Sequence, residues 1–228
     1  MSALWTILKK ITIFAANKQA YTPLDKKREK DQMNVAIIKY NAGNIYSVVN
    51  ALRRLGVEPE LTDSPERLLA ADHILFPGQG EAGTTMNYLR EHHLDRLIAN
   101  LRQPVLGICI GQQLLCRHSE EGDTDCIGIF PVDVKRFQPQ HHEDKVPAMG
   151  WNNVTGLKSP LFKDIRPDEY MYFVHSYYVP VCEQTIATAD YITPYSAALN
   201  KDNFYSTQFH PEKSGKAGEK LLKNFLEI

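Results

Sequence analysis

The sequence has few cysteines, no excess of either charge and no long apolar run. Its 4 cysteines, at positions 109, 116, 126 and 182, show no Cys-x-x-Cys spacing, which argues against a metal or redox site and favours a reduced, cytoplasmic compartment. The 26 basic and 27 acidic residues give a net charge of −1, and no Lys/Arg cluster is combined with aromatic residues, so nucleic acid is a poor candidate partner. No P-loop is present. We therefore expect neither a cofactor nor a metal.

Residues 1–32 differ in character from the rest of the chain. The stretch 4–14 is apolar, but Lys9 and Lys10 interrupt it and it is too short to span a bilayer. It lacks the small-residue cleavage site of a secretory signal, and residues 25–31 form a mixed charge run typical of a solvated linker. We interpret residues 1–32 as a non-functional or disordered extension, with a weak membrane-surface role as the alternative, and residues 33–228 as one domain.

From residue 33 onward the first half of the chain alternates strands and helices. Residues 34–40 predict a strand, and the helix that follows has Asn44 as its N-cap and Gly56 as its C-cap. A longer helix is predicted over residues 84–101. This alternation predicts an α/β fold whose open central sheet is mostly parallel, with helices on both faces. Strands of an added antiparallel meander are predicted in the second half, over residues 132–137, 170–179, 185–189 and 195–199.

Residues 104–116 predict a buried strand that turns at one cysteine directly into a helix. Val105, Leu106 and Ile108 form the strand, and Gly107 and Gly111 flank Cys109 with residues that tolerate positive φ and leave room for a sharp turn. A side chain at such an elbow stands above a helix N-terminus, which favours a thiolate, and the nucleophile elbow of hydrolases has the same geometry. We interpret Cys109 as a nucleophile; the alternative is a structural core cysteine.

The stretch 204–213 supplies a candidate base for that nucleophile. Phe204 to Phe209 predicts a strand that ends at His210, and in an extended segment His210 and Glu212 would project to one side. Histidine titrates near neutrality, so it can accept a thiol proton, while a neighbouring carboxylate would hold its ring in one tautomer. The His-Pro-Glu pattern is weak alone; together with the elbow at Cys109 it predicts a catalytic triad.

Residues 107–113 and 210–212 together resemble the class I glutamine amidotransferases, which hydrolyse the side-chain amide of glutamine through a Cys-His-Glu triad. Further stretches resemble one family within that class, the amidotransferase subunits of imidazole glycerol phosphate synthase, from histidine biosynthesis. They run in the same order from about residue 33 to the C-terminus: residues 41–44, 76–80, 149–152, 172–177 and 208–214. The resemblance implies that residues 33–228 are a type-1 glutamine amidotransferase domain.

The resemblance also assigns roles around Cys109. The backbone N–H of Ile110, just after the nucleophile, and that of Gln79 in the glycine-rich turn 77–80 would form the oxyanion hole. Gln113 lies one helical turn after Cys109, so its amide can face the same pocket. In the family the residue at this position contacts the substrate glutamine. The resemblance likewise implies that Gly80 and the segment His175-Ser176-Tyr177 bind the substrate. Without the resemblance, we would interpret His175 as a histidine at a strand turn whose hydrogen bonds are made within the protein.

A partner is implied as well, because free ammonia is protonated in water and a biosynthetic enzyme should deliver it through a sheltered path. In the resembled family the partner is a TIM-barrel cyclase subunit, with which the amidotransferase forms a heterodimer. The apolar residues around 149–152 and Tyr172 are candidates for the docking face, or else core aromatics. The sequence departs from the family at Gln79, where an apolar residue, often valine, is usual, and at residues 39–41, which lack the acidic residue often found there.

Three other interpretations remain open at this stage. A glutaminase subunit of another ammonia-using synthase would keep the triad and bind a different partner. A cysteine peptidase would share the nucleophile and base, but Gln113 would have no clear role. A non-catalytic binding module would require the Cys109 thiol and the His210 imidazole to lie apart.

Overall fold

A computed structural model describes residues 33–40 and 45–228. The predictions for residues 1–32 and 41–44, including Asn44 as an N-cap, lie outside the described residues. Within them the strands are β1 Val35–Ile38, β2 Glu60–Thr62, β3 His73–Gly78, β4 Val105–Cys109, β5 Cys116–Ser119, β6 Thr124–Asp125, β7 Phe130–Arg136, β8 Ala148–Val154, β9 Glu169–His175, β10 Tyr177–Tyr178, β11 Thr185–Tyr191, β12 Thr193–Lys201 and β13 Phe204–Thr207. The helices are α1 Tyr46–Arg54, α2 Pro65–Ala70, α3 Ala82–Glu91, α4 Leu94–Ala99, α5 Ile110–Leu115 and α6 Gly215–Leu226, with short 3-10 helices at Pro160–Phe162 and Pro211–Lys213.

The central sheet has seven strands in the order β11-β12-β13-β4-β3-β1-β2. The five strands from β13 to β2 are parallel, and β12 and β11 add an antiparallel edge. The strands β1, β3 and β4 are buried throughout, as expected for parallel strands covered on both faces. This arrangement confirms the predicted fold class.

Alternate residues of the central strands feed two apolar clusters, one on each face of the sheet. Val35 and Ile37 face the cluster that contains helix α6 and the hairpin β8–β9. Ala36 and Ile38 face the cluster that contains α3, α4 and α5. This division follows from the two-residue period of a strand, which sends neighbouring side chains to opposite faces.

The helix predicted over residues 84–101 is wrong as a single element. The structure has α3 and α4, separated at His92 and His93, and His93 has a positive φ of 57°. The buried residues explain the break: Leu94 lies five positions after Leu89, so at 100° per residue a continuous helix would rotate the two side chains apart by roughly 140°. The break at His93 returns Leu94 and Ile98 to the same apolar cluster as Leu89.

The antiparallel strands of the second half are present, but they belong to three sheets rather than to one meander. Only β11 and β12 join the central sheet beside β13; β8 pairs with β9, and β10, β7, β5 and β6 form a separate sheet. The strand predicted over residues 170–179 is interrupted at Ser176, because β9 pairs with β8 up to His175 and β10 then pairs with β7. The change of partner strand accounts for the interruption.

Candidate active site

The predicted elbow lies at the carboxyl end of the central strand β4. Cys109 is the last residue of β4, and α5 begins at the next residue. The turn is made by Cys109 itself, with φ 56° and ψ −108°, a conformation that costs a non-glycine residue energy and that often marks a functional site. Its side chain is 8% exposed. The structure thus fixes a thiol at the junction of strand and helix.

The two flanking glycines leave room for close packing and do not supply the positive φ that was also predicted for them. Neither Gly107 nor Gly111 is among the residues with positive φ in the described part of the chain. Instead, a Cβ atom on Gly111 would collide with the backbone carbonyl oxygen of Phe76, and one on Gly107 would lie 2.8 Å from a methyl group of Leu115. The glycines let α5 pack directly on β3 and β4, so their prediction as space-saving residues is confirmed and the one from positive φ is wrong.

The candidate base follows strand β13, which is the neighbour of β4 in the sheet. His210 Nδ1 donates to Glu212 Oε1 at 2.9 Å, and the two side chains are 3% and 4% exposed. Pro211 starts a 3-10 turn at this point, so the carboxylate meets the imidazole through a turn rather than along an extended segment. The backbone of His210 is anchored on both sides: its N–H donates to the carbonyl of Tyr172, and its carbonyl accepts from the hydroxyl of Ser214.

The protonation of His210 is set by its two neighbours. Burial alone would lower its pKa, but the adjacent Cys109 sulfur and Glu212 carboxylate outweigh burial and raise the pKa of His210 to about 10. The second ring nitrogen, Nε2, is buried and makes no hydrogen bond within strict geometric limits among the described residues. The site therefore favours a charged imidazolium beside the Cys109 sulfur and the Glu212 side chain, which contradicts a module with thiol and imidazole far apart.

Gln113 and one residue that sequence reasoning missed connect to the same thiol. Gln113 Nε2 donates to the carbonyl of Tyr177 at 3.2 Å and to Gln208 Oε1 at 3.1 Å. Gln208 Nε2 in turn lies 3.8 Å from Cys109 Sγ. The sequence could have indicated a role for Gln208, because it lies two residues before His210, at the end of the strand that runs beside β4.

The glycine-rich turn lies directly across from the elbow. Gly78, at the end of β3, is in register with Cys109, while Gln79 and Gly80 are exposed. The hydroxyl of Tyr40 donates to the carbonyl of Pro77 at 2.7 Å. The turn and the two triad residues after β13 line one small cavity, whose walls are Val48, Pro77, Gly78, Gln79, Ile108, His210 and Glu212.

Residues 78–83 also carry Gly-x-Gly-x-x-Gly spacing, between strand β3 and helix α3. In nucleotide sites the helix N-terminus receives a phosphate. Here Glu81 caps α3 by accepting from the N–H groups of Gly83 and Thr84, and Glu121 accepts from the N–H of Ala82. Two carboxylates thus occupy the N–H groups that a phosphate would need, so this turn does not fit a nucleotide.

The segment His175-Ser176-Tyr177 contacts the site in a different way from the one expected. The ring of His175 is enclosed by Phe137, Phe173 and Tyr195, with centroid distances of 5.3, 5.6 and 5.2 Å. Its Nδ1 donates to the carbonyl of Tyr177 at 2.7 Å, and burial lowers its pKa to about 4, so it is neutral. The contact with the thiol comes from the residue before the segment: the carbonyl of Val174 lies 3.8 Å from Cys109 Sγ.

The candidate docking face is exposed rather than part of the core. On the hairpin β8–β9, Met149 is 67% exposed, Trp151 56% and Tyr170 58%, and Trp151 packs edge-on against Tyr172.

None of the helices in the described residues has the length and apolar character needed to span a bilayer. Nor do three or more His, Cys, Asp or Glu side chains gather there as a metal site would require.

Comparisons with known proteins match this chain over nearly all of its described residues. The family model Glutamine amidotransferase class-I matches residues 36–228. The imidazole glycerol phosphate synthase subunit HisH of Bacteroides fragilis (strain YCH46) is 66% identical over 196 residues, which cover 86% of this chain and 100% of that protein. The subunit of the same name from Escherichia coli (strain K12) is 47% identical, with 86% and 100% covered.

A solved structure named glutamine amidotransferase has the same fold, with a TM-score of 0.66 at 18% identity, covering 85% of this chain and 98% of that one. The chain therefore belongs to the class-I glutamine amidotransferases and, within that class, to the family of imidazole glycerol phosphate synthase HisH subunits.

Proposed function

We propose that this chain hydrolyses L-glutamine to glutamate and ammonia with Cys109, His210 and Glu212, and that it passes the ammonia to a cyclase subunit. The cyclase would use the ammonia to make imidazole glycerol phosphate and aminoimidazole carboxamide ribonucleotide in L-histidine biosynthesis. The observation that carries the proposal is the buried Cys109–His210–Glu212 arrangement at the carboxyl ends of β4 and β13. Membership of the HisH family supports the choice of partner.

The chemistry uses the triad in two steps. The Cys109 thiolate attacks the side-chain carbonyl carbon of glutamine, and the protonated His210 gives a proton to the departing amide nitrogen. Ammonia leaves, and a thioester remains on Cys109. His210 then takes a proton from a water molecule, which hydrolyses the thioester to glutamate. Glu212 holds the ring in position throughout and stabilises its charged form.

The tetrahedral oxygen formed in each step needs N–H donors fixed in advance. We assign the first to Ile110, which follows Cys109 at the start of α5. The second is assigned to Gln79, because the register of β3 and β4 places Gly78 beside Cys109 and Gln79 one residue beyond. Gly80, Gln113 and the 175–177 segment are proposed to hold the substrate. The amide of Gln113 and the backbone of Tyr177 support this role better than the enclosed ring of His175 does.

The partner is proposed to be a TIM-barrel cyclase subunit in a heterodimer, docked over the exposed side chains of β8–β9. Met149 and Trp151 are large apolar groups left in solvent, which is typical of an interface. Neither nucleic acid nor membrane is part of the proposal. A cytoplasmic location is supported by the free state of all four cysteines.

The decisive experiment is glutamate release by the Cys109→Ala variant with the cyclase and its ligand present. We expect turnover to be lost. The matched control is Cys116→Ala, because Cys116 is a fully buried thiol at the other end of α5 whose sulfur bonds the carbonyl of Gln112. Turnover that survives in Cys109→Ala would overturn the proposed nucleophile.

The partnership is tested by comparing glutamine hydrolysis with and without the cyclase. We expect the isolated chain to be a poor glutaminase that the complex activates, and equal rates would count against the partner. Trp151→Ala should weaken binding to the cyclase while the fold is retained, because the side chain is half exposed. A different ammonia-using synthase that activates the chain more strongly would identify another destination for the ammonia.

We also propose that residues 33–228 form the whole catalytic domain and that residues 1–32 are not needed for it. The family match begins at residue 36, and the Bacteroides fragilis relative aligns over 196 residues, which are 100% of that protein. A variant without residues 1–32 should hydrolyse glutamine with the cyclase at the rate of the full chain. A marked loss of rate would assign a function to the extension.

A further inference from the structure

Gln208 is a fully buried side chain between the nucleophile and Gln113. It is 0% exposed, and it follows strand β13 at the position next to Cys109 at the end of β4, since Thr207 pairs with Ile108. Its backbone is fixed by a hydrogen bond from its N–H to the carbonyl of Ala197 at 2.8 Å. A buried amide needs partners for both its oxygen and its nitrogen, and those partners define its role.

The orientation of the Gln208 amide follows from the backbone. The carbonyl of Tyr177 can only accept, so the Gln113 atom that faces it must be the N–H donor, Nε2. The same Nε2 faces Gln208 at 3.1 Å, which must therefore present its oxygen. It follows that Gln208 directs its own N–H group at Cys109 Sγ, at 3.8 Å. Donor and acceptor are thus assigned for each hydrogen bond between the carbonyl of Tyr177 and Cys109 Sγ.

We propose that Gln208 is a further catalytic residue, whose side-chain N–H stabilises the Cys109 thiolate and links the nucleophile to Gln113. A donor aimed at sulfur favours the anion over the thiol. The inference rests on the proposed function of Cys109 as nucleophile. It adds a further influence on the sulfur besides the imidazole of His210, two residues further along the same segment, and the carbonyl of Val174 at 3.8 Å from Sγ.

The titratable groups around Cys109 are few, which makes its ionisation measurable. His210 is adjacent, and Glu212 acts on it through the imidazole. Tyr40, two residues after β1, is close enough to Cys109 to interact with it electrostatically, but burial raises the pKa of its hydroxyl well above the usual range, so it stays neutral. His175 lies near His210 and remains neutral as well. None of these groups is altered by a substitution at Gln208, so a change in the titration of Cys109 would report the amide.

The test is the rate at which iodoacetamide alkylates Cys109 in the full chain as a function of pH, read by mass spectrometry of the Cys109 peptide. Two variants are compared with the wild type. Gln208→Met keeps the length of the side chain and removes both hydrogen bonds. Gln208→Glu keeps an oxygen for Gln113 and replaces the donor to sulfur with an acceptor. We expect Gln208→Met to raise the midpoint of alkylation by about one pH unit, roughly a tenfold slower reaction below the midpoint, and Gln208→Glu to raise it further.

The matched control is Gln112→Met, because Gln112 is an equally buried glutamine on α5 that bonds Ser206 and Ser196 rather than Cys109. Its midpoint should stay at the wild-type value. An unchanged midpoint in Gln208→Met would overturn the inference. If circular dichroism shows that Gln208→Met does not fold, an unchanged midpoint in Gln208→Glu would overturn it instead. The outcome is separate from the proposed function, which depends on turnover by Cys109→Ala and not on this titration.

Discussion

The two sides of the candidate active site are held in very different ways. On one side, Cys109 and His210 are 8% and 2% exposed, and the elbow packs so closely that Gly111 touches the backbone of β3. On the other side, Gln79 and Gly80 are exposed, and the turn is tied by the hydrogen bond from Tyr40 to Pro77. The nucleophile and base are therefore fixed in place, whereas the proposed second oxyanion donor sits on the side with fewer restraints.

This difference indicates where a partner could control the reaction. A change at the elbow would have to move a packed core, which is costly. A change in the turn needs only a small rearrangement of exposed backbone next to a glycine. We therefore expect the cyclase to act on Gln79 and Gly80 and to leave unchanged both the triad and Gly78, which is buried against Tyr40 and Ile110.

The largest effect is expected for Glu212→Gln, on the side of the site that holds Cys109 and His210, called here the fixed side. The amide can still accept from His210 but no longer stabilises the imidazolium, so glutaminase turnover in the complex should fall on the order of 10³-fold. Steady-state glutamate release measures it. Glu219→Gln is the control, because Glu219 is an exposed carboxylate paired with Arg54. A variant with nearly normal turnover would remove Glu212 from the mechanism.

Gly111→Ala should break the packing of the elbow itself. Its new methyl group would meet the carbonyl oxygen of Phe76, and relief of that overlap should cost about 3 kcal/mol of unfolding free energy. Gly80→Ala is the comparison on the turn side, where the nearest atom would be Thr85 Oγ1 at an ordinary 3.4 Å. Urea unfolding of both variants gives the result. Equal losses would mean that the two sides are packed alike.

The pair of His210 and Glu212 on the fixed side should make the stability of the fold depend on pH. The pKa of His210 is raised to about 10 in the folded chain, against roughly 6.5 when unfolded. Its contribution is therefore complete below about pH 6.5 and is lost as the pH rises towards 10. Glu212→Gln should be less stable than wild type by about 1–3 kcal/mol at pH 7, and the difference should shrink by pH 10. A constant difference in urea unfolding across that range would contradict the charged pair.

Local sequence patterns predicted the fixed side well. Val105, Leu106 and Ile108 form an apolar run, and such a run in an α/β pattern is a buried parallel strand; the positions of Cys109 and of the His-Pro-Glu turn follow from where the two strands end. The break between α3 and α4 was missed, although the angular offset of Leu94 from Leu89 was already present in the spacing of the buried residues.

Contacts between distant segments could not be predicted in the same way. Gln208 and Cys109 meet because β13 pairs with β4, and 99 residues separate them in the chain. The pairing of strands depends on the whole topology, while a motif describes one segment. The burial of His175 among aromatic rings has the same origin, since Phe137, Phe173 and Tyr195 come from three separate segments.

The smallest effect is expected for Tyr40→Phe, on the turn side. Loss of the hydroxyl leaves the carbonyl of Pro77 without this buried donor, which should cost about 1 kcal/mol of unfolding free energy. Because that hydrogen bond restrains the turn, the amides of Gln79 and Gly80 should exchange hydrogen faster, while those of β4 keep the wild-type rate. Tyr205→Phe, in the other apolar cluster, should leave exchange in the turn unchanged. Faster exchange in β4 as well would show that the turn and the elbow move as one unit, and the proposed division of the site would then be wrong.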